Sequence, residues 1–263
     1  MKVQVLVATM NQTDYSLLEK MNIQTDAVIG NQCDRNEIIE FEHKNRTVKW
    51  LSFNEKGVGL NRNNTLMRAT EEIILFADDD VVYMDGYEDT IVEFYKNHPK
   101  VDVAIFNFKI KRGEDSFSER VKKEGRIGRM SATKYGTYCV SARRDKLRLA
   151  NVFFHMDFGG GTKYSCGEDS IFLQDCCKKK LKVYATKAMI GVLEHGESTW
   201  FSGYNDKYFF DKGVLFATIF PVACYLLALV HCLKKRNKYK DYGWKKGYRH
   251  MLKGIRDRKR NLQ

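Results

Sequence analysis

This chain of 263 residues has little proline, no CxxC pair of cysteines and no pattern that predicts a leader sequence. With two prolines and 43% hydrophobic residues, it does not have the composition of a disordered protein, and its length predicts one or two domains. The seven cysteines include no CxxC pair, so a zinc site is not expected. No apolar leader with a small-residue cleavage site follows Met1, and we therefore expect a cytosolic protein with reduced thiols.

Acidic residues are scarce at the C-terminal end. Residues 234–263 contain 13 lysines or arginines and two aspartates, and so carry +11 of the total net charge of +12. The remainder of the chain is nearly neutral. The sequence therefore predicts a balanced body with a basic tail.

Strand-like apolar runs alternate with helix-like spacing along most of the chain. The predicted strands are 3–8, 26–30, 48–53, 72–77, 101–108, 138–141 and 182–186, and the predicted helices include 14–21, 61–70, 88–96 and 167–178. This alternation favours an α/β fold, Rossmann-like, with a mostly parallel sheet and flanking helices. Ligands of such sheets bind beyond the carboxyl ends of the strands.

Three aspartates, Asp78, Asp79 and Asp80, follow the strand predicted at 72–77. Adjacent carboxylates repel one another, and a divalent cation removes that cost. Mg²⁺ or Mn²⁺ prefers oxygen ligands and keeps substrate phosphates in its shell. If strand alternation continues, Asp78 and Asp80 point the same way and could hold such a metal against a leaving diphosphate. The alternative is a solvated acidic turn.

Three other positions carry candidate chemistry. Arg62 ends a glycine-bearing loop near a helix start, which suits a phosphate, although an ordinary loop is the alternative. Glu168 and Asp169 follow Gly167 at a helix start, as a general base or as a helix cap. His195 follows the last predicted strand, as a metal ligand, a diphosphate contact or a structural residue.

Taken together and in this order, the motifs resemble the family 2 glycosyltransferases of the GT-A fold, especially bacterial enzymes of capsule and exopolysaccharide synthesis. The resemblance extends from Val3 to about Gly213. It implies a metal-dependent inverting enzyme, with Mn²⁺ or Mg²⁺ as cofactor, that moves one sugar from a UDP-sugar to a hydroxyl of a lipid-linked glycan acceptor in surface polysaccharide synthesis. The QxxRW motif of processive synthases is absent, which favours addition of a single sugar.

The resemblance also implies a role for each matching residue. The nucleotide sugar would be bound by Thr9, Asn11, Asn31, Asp34, Arg62, Asp78 and Asp79. The metal would be held by Asp80, with Asp78 and His195. Asp169 would be the catalytic base, with Glu168 beside it holding the acceptor, and Ser198, Thr199 and Trp200 would belong to a loop over the donor. The family usually has two aspartates and a glycine after the second strand. Here the residues are Asn31-Gln32-Cys33-Asp34, so the contact with the uracil ring of the donor would be made by Asn31 or Asp34.

An uncharged apolar stretch at 214–233, interrupted by Pro221, precedes the basic tail. Its 20 residues could just span a bilayer, but one crossing would place the tail outside, against the positive-inside tendency. We therefore expect a catalytic domain at 1–213 and membrane-associating helices at 214–263. These would comprise a re-entrant or interfacial segment at 214–233 and an amphipathic helix at 244–255 on the anionic headgroups of the inner face of the cell membrane. The alternative is a core or homodimer helix with a solvated tail.

Other functions remain as alternatives. A nucleotidyltransferase would normally carry a glycine-rich signature after the first strand, where this chain has Thr9-Met10-Asn11-Gln12. A nucleic-acid-binding protein could use the basic tail, but it would leave the aspartates unexplained, and no nucleic-acid partner is expected. A catalytically silent membrane scaffold is the third alternative.

Overall fold

Continuous apolar runs form the central strands of one large sheet. The structure, a computed structural model, describes residues 1–111, 116–194 and 203–261. The strands are β1 (Val3–Met10), β2 (Asp26–Gln32), β3 (Glu37–His43), β4 (Arg46–Phe53), β5 (Ile73–Asp78), β6 (Val81–Tyr83), β7 (Val103–Lys111), β8 (Phe117–Glu119), β9 (Gly125–Arg126), β10 (Val140–Arg143) and β11 (Val183–Leu193). The helices are α1 (Leu17–Lys20), α2 (Val58–Arg68), α3 (Tyr87–Asn97), α4 (Arg129–Ala132), α5 (Arg144–Leu149), α6 (Glu168–Lys178), α7 (Asp206–Ile219), α8 (Cys224–Lys234) and α9 (Trp244–Arg260).

The strand order of the sheet is β3-β4-β2-β1-β5-β10-β7-β11-β6, with β8 beside β7 and β9 beside β11. Strands β4, β2, β1 and β5 are parallel, as are β7 and β11. Strand β10 lies antiparallel between β5 and β7, and the outer strands β3 and β6 are also antiparallel to their neighbours. The α/β class is confirmed. The antiparallel edge strand β3 is not predicted, because its charged residues interrupt the apolar pattern.

The parallel centre of the sheet places several polar side chains at one edge. In β1 the run Val5-Leu6-Val7 is fully buried, as expected for a strand covered on both faces. The register pairs Thr9 of β1 with Asn31 of β2, and Ala8 of β1 with Asp78 of β5. The carboxyl ends of three neighbouring strands therefore present their polar residues side by side.

The three C-terminal helices form a second, smaller core. It is built from Phe209 and Ala217 of α7, Cys224, Ala228 and Cys232 of α8, Met251 and Ile255 of α9, and Tyr239 from the connection between α8 and α9. Helices α7 and α9 approach closely, since a Cβ atom on Gly213 would lie 2.1 Å from the carbonyl oxygen of Met251. Helix α7 continues across the boundary predicted between residues 213 and 214.

The predicted apolar stretch at 214–233 is not one helix. Helix α7 ends at Ile219 and α8 begins at Cys224, with Pro221 in the turn between them. Across the described ranges, no helix combines the length and the apolar character needed to span a bilayer. The apolar face predicted to lie on headgroups, which includes Met251 and Ile255, is buried in α9 against the rest of the protein. Trp244, Tyr248 and Leu252 on the same face are half-buried, and the basic side of α9 is exposed.

Candidate active site

Arg62 is the centre of the site. It projects from the second turn of α2, and its guanidinium binds three carboxylates: Asp78 Oδ1 at 2.6 Å, Asp169 Oδ1 at 3.0 Å and Glu168 Oε1 at 3.2 Å. Its side chain is 4% exposed and lies over the ring of Phe154. Burial opposes the charged form, but the charges of Asp78, Asp169 and Glu168 outweigh it and raise the pKa of Arg62.

This arrangement joins two distant parts of the sequence. Asp78 ends β5, whereas Glu168 and Asp169 open α6. Gly167, which precedes α6, has a φ of +120°, and a Cβ atom there would lie 2.6 Å from Leu215 of α7. Only glycine suits this position, because the backbone is left-handed and the neighbouring helix is close.

The predicted phosphate contact of Arg62 stays a prediction, since its guanidinium is occupied by carboxylates.

Glu168 and Asp169 differ in their surroundings. Glu168 is buried, and its Oε2 accepts a hydrogen bond at 3.0 Å from the backbone N–H of Gly167, its neighbour at the start of α6. The partners of Asp169 lie outside α6: its Oδ1 accepts hydrogen bonds from Arg62 and from the hydroxyl of Thr137. Its side chain is 30% exposed. Of the two carboxylates, Asp169 is the one that a substrate hydroxyl could reach.

Burial raises the pKa of Asp169, and so do the charges of Glu168 and Asp78, while the charge of Arg62 opposes them. A carboxylate held in this way binds a proton more strongly than a solvated one. The geometry and the direction of the pKa shift both suit a general base.

The aspartate run leaves the strand after its first residue. Strand β5 ends at Asp78, so Asp79 and Asp80 lie in a turn, and the premise that strand alternation continues through Asp80 is wrong. Asp79 Oδ2 accepts a hydrogen bond from Thr9 Oγ1 at 2.6 Å. Asp80 Oδ1 is buried and finds no hydrogen-bond partner among the residues that the structure describes. Burial, followed by the charges of Asp78 and Asp79, raises the pKa of Asp80 to about 7.

An unsatisfied buried carboxylate oxygen beside two further carboxylates fits a divalent cation. Within the described residues, no three His, Cys, Asp or Glu side chains form a complete metal cage. A cage is not required for Mg²⁺ or Mn²⁺, which commonly uses one or two carboxylates together with substrate phosphates. Asp80 and the aspartates beside it are therefore compatible with the expected metal.

The predicted nucleotide contacts are placed differently from one another. Asn31 is fully buried, and its side chain holds the turn after β1 by bonding Gln12 N and Gln12 O, each at 3.0 Å. Asn11, with a φ of 55°, and Asp34 are both exposed near the ends of β1 and β2. Thr9 is engaged with Asp79. The structure thus groups Thr9 with the aspartates and gives Asn31 a structural contact.

Four predicted residues, His195, Ser198, Thr199 and Trp200, lie outside the described residues, and their roles stay predictions. Two residues near the site carry no motif that could have identified them. Thr137 reaches Asp169 from a short 3₁₀ turn. Lys212 of α7 is half-buried near Glu168, and although burial opposes its charge, Cys166, Tyr208 and Glu168 raise its pKa.

Comparisons with known proteins agree with this architecture. The sequence model of Glycosyl transferase family 2 matches residues 16–160, more than half of the chain. The crystal structure of S. aureus TarS residues 1–349 matches with a TM-score of 0.59 and 15% identity, covering 83% of this chain and 65% of TarS 1–349. The same protein in complex with UDP-GlcNAc matches with a TM-score of 0.61 and 18% identity, covering 83% and 66% respectively.

A third structure, TarS 1–349 in complex with UDP, has a TM-score of 0.60 at 15% identity and covers 83% of this chain and 65% of TarS 1–349. The chain therefore spans just under two thirds of the length of these structures. At these identities the likeness concerns the fold alone, and it confirms the expected GT-A architecture. No curated protein matches the sequence.

Proposed function

This chain belongs to glycosyltransferase family 2, and from that membership we propose that it moves one sugar from a UDP-sugar to an acceptor hydroxyl, with inversion at the anomeric carbon. The observation that carries the proposal is the position of Arg62. Its guanidinium spans Asp78, beside the predicted metal position, and Asp169, the predicted base. The predicted metal position and the predicted base are thus linked by one side chain.

The proposed reaction is a single displacement. Asp169 accepts the proton of the acceptor hydroxyl while that oxygen bonds to the anomeric carbon. The bond from this carbon to the diphosphate oxygen breaks, and its electron pair leaves with UDP. Arg62 and Thr137 orient the carboxylate of Asp169. Bound at Asp80, Mn²⁺ or Mg²⁺ would offset the negative charge of the diphosphate.

The choice of UDP rests on the fold and on the relatives. The TarS structures of the same fold include complexes with UDP-GlcNAc and with UDP. In this chain, Thr9, Asn11, Asp34 and the aspartate run lie at the carboxyl edge of the parallel strands, where α/β sheets bind nucleotides. Asn31 supports this edge by holding the turn at Gln12.

We also propose that the acceptor is a lipid-linked glycan of surface polysaccharide synthesis and that the protein works at the inner face of the cell membrane. Two features support this. The tail carries +11, which favours anionic lipid, and the C-terminal helices expose apolar side chains. A lipid-linked acceptor would reach the site by diffusion in the plane of the membrane.

The decisive experiment is a screen of nucleotide sugars for release of the nucleoside diphosphate, with Mn²⁺, Mg²⁺ or EDTA present. We expect release of UDP from at least one UDP-sugar, dependent on the metal. A nucleotidyltransferase would instead release pyrophosphate when given a nucleoside triphosphate and a sugar phosphate. No turnover of any UDP-sugar, together with pyrophosphate release, would replace the proposal by that alternative.

A further inference from the structure

Helix α8 is packed with its small side chains inward and its large aliphatic side chains outward. Val222, in the turn before α8, is 94% exposed, Leu226 is 64% exposed and Leu233 is 42% exposed. The side chains that α8 buries are Cys224, Ala228 and Cys232. In a helix packed for water, the larger apolar residues would occupy the buried face.

The exposed side chains form one stripe. Leu226 and Leu233 of α8, with the half-buried Leu229 and Val230 between them, recur at the spacing of one helix face, and Val222 precedes them in the turn before the helix. Tyr225 adds a ring beside the stripe. Single exposed apolar residues are ordinary on protein surfaces, whereas a continuous row of them marks a surface that contacts something apolar.

Positive charge surrounds this stripe. Lys234, Lys235 and Arg236 follow Leu233 directly and are exposed. At the other end, the ammonium of Lys259 in α9 lies 4.7 Å from the ring centroid of Tyr225. Residues 212–240 contain no aspartate or glutamate. The surface is thus an apolar row with cations at both ends.

We propose that this face, which we call the α8 face (Val222, Tyr225, Leu226 and Leu233, with Lys234, Lys235 and Lys259), inserts into the headgroup region of an anionic lipid bilayer. Helix α8 lies in the plane of the membrane. Its 11 residues extend about 16 Å, too short for the roughly 30 Å of hydrocarbon in a bilayer, but suited to the interface. The inference rests on the proposed function, since it names the surface that brings the site to its acceptor.

The positive charge of the α8 face favours contact with anionic lipid over contact with a second copy of the chain. In a symmetric dimer through the α8 face, the lysines at both ends of one stripe would approach those of the other copy. Without an acidic residue in 212–240, these charges would repel. Anionic headgroups, in contrast, pair with the lysines while the aliphatic side chains leave water.

The α8 face is linked to the active site through α7. Leu215 of α7 packs against Gly167 at the start of α6, and Asp211 accepts hydrogen bonds from Ser165 N at 2.9 Å and Ser165 Oγ at 2.8 Å. The carboxyl end of α7 leads into the turn that bears Val222. One helix therefore connects the membrane contact to the residues around Asp169.

Vesicle flotation of the full chain tests the proposal. The vesicles contain phosphatidylcholine alone, or phosphatidylcholine with an equal amount of phosphatidylglycerol. We expect binding to the anionic vesicles only. The double variant V222E/L226E should bind them roughly tenfold more weakly or worse, because two aliphatic side chains no longer leave water and two negative charges meet anionic lipid. L149E is the matched control, since Leu149 of α5 is 83% exposed but lies outside the α8 face, and it should bind normally.

Other outcomes would overturn the inference. Undiminished flotation of V222E/L226E, with a thermal melt like that of the parent, would place the contact elsewhere. A parent chain that does not float, but forms a dimer that V222E/L226E dissociates, would make the α8 face a dimer interface. UDP release is assayed separately: its absence would sink the proposed function while leaving a confirmed membrane contact in place.

Discussion

At the scale of single residues, Asp80 offers the sharpest test of the metal site. Within the described ranges 1–111, 116–194 and 203–261, its buried Oδ1 has no hydrogen-bond partner. We expect Asp80→Asn to reduce metal-dependent UDP release by roughly 100-fold, because an amide cannot supply the charge that holds a cation against the diphosphate. The measurement is UDP release at saturating UDP-sugar, with Mn²⁺ binding in the presence of UDP followed by calorimetry.

The control for this change is Asp145→Asn, an aspartate of α5 that is 72% exposed and paired with Arg144. It should retain full activity and full Mn²⁺ binding. If Asp80→Asn also keeps both, the aspartate run is an acidic turn and the metal lies elsewhere.

Asp169→Asn is expected to separate binding from chemistry. The amide oxygen can still accept hydrogen bonds from Arg62 and Thr137, so the site keeps its shape. It cannot accept a proton, so kcat should fall by roughly 10²- to 10⁴-fold while the Kd for UDP stays the same. Joint loss of transfer and of UDP binding would instead identify Asp169 as a structural residue.

The pH dependence of the reaction follows from the same carboxylate. Burial and the neighbouring carboxylates raise the pKa of Asp169, and a base is active only when it is deprotonated. The rate of the parent enzyme should therefore fall as the pH is lowered through this raised pKa. The residual rate of Asp169→Asn should lack this fall. A profile of kcat against pH for both proteins shows whether Asp169 is the group whose protonation lowers the rate.

The residues of the site could be predicted only in part from the sequence. The two acidic clusters, Asp78–Asp80 and Glu168–Asp169, stand out because carboxylates after a buried strand, or at a helix start, are costly without a partner. What could not be predicted is that one guanidinium joins the two clusters: Arg62 binds both Asp78 and Asp169, and Asp169 lies 107 residues from Arg62 in the sequence. The sequence does not identify Thr137, because a single threonine in a short 3₁₀ turn carries no pattern. Only the fold brings it to Asp169.

At the scale of elements, the contact between α7 and α9 makes the strongest prediction of stability. A Cβ atom at Gly213 would meet the backbone of Met251, which has no flexible end to move aside. We expect Gly213→Ala to lower the free energy of unfolding by roughly 1–3 kcal/mol, as overpacking does. Urea titration measures this change.

Gly128→Ala is the matched control, because a Cβ atom at Gly128 meets nothing within 4 Å. This change should alter the free energy of unfolding by less than about 0.5 kcal/mol. Equal effects of the two substitutions would mean that helix α9 does not pack on α7 as described.

Element types could be predicted from the sequence more reliably than element ends. Helix α6 begins at Glu168, as its glycine and carboxylates indicate. The hydrophobic pattern of 214–233 does not define where its helices end, because an uncharged run looks alike whether it is one helix or two. The turn at Pro221 divides it, and α8 then shares its small residues with the C-terminal core. Helix α9 has the predicted amphipathic pattern, and the buried part of its apolar face, Met251 and Ile255, packs against protein.

At the scale of the whole molecule, the parallel centre of the sheet could be predicted because buried parallel strands are apolar throughout. The antiparallel position of β10 between β5 and β7 could not, since strand direction depends on how the intervening chain folds back.

The tail, too, could be predicted only in part from the sequence. Its charge is visible in the sequence, whereas its packing against α7 is not, so deletion of residues 234–263 would remove part of a core and is not a clean test of membrane binding.

Neutralising selected charges avoids that problem. We expect the triple variant K234Q/K235Q/K259Q to bind phosphatidylglycerol vesicles more weakly and to lose part of its salt dependence, since each lysine near an anionic surface contributes about 1 kcal/mol. The triple variant K122Q/K123Q/K179Q changes the net charge equally at exposed lysines elsewhere, and it should bind nearly as the parent does. Flotation at increasing salt compares the three proteins. Equal weakening of both variants would mean that net charge alone attracts the protein, whereas weakening of the first alone would assign the attraction to the ends of α8.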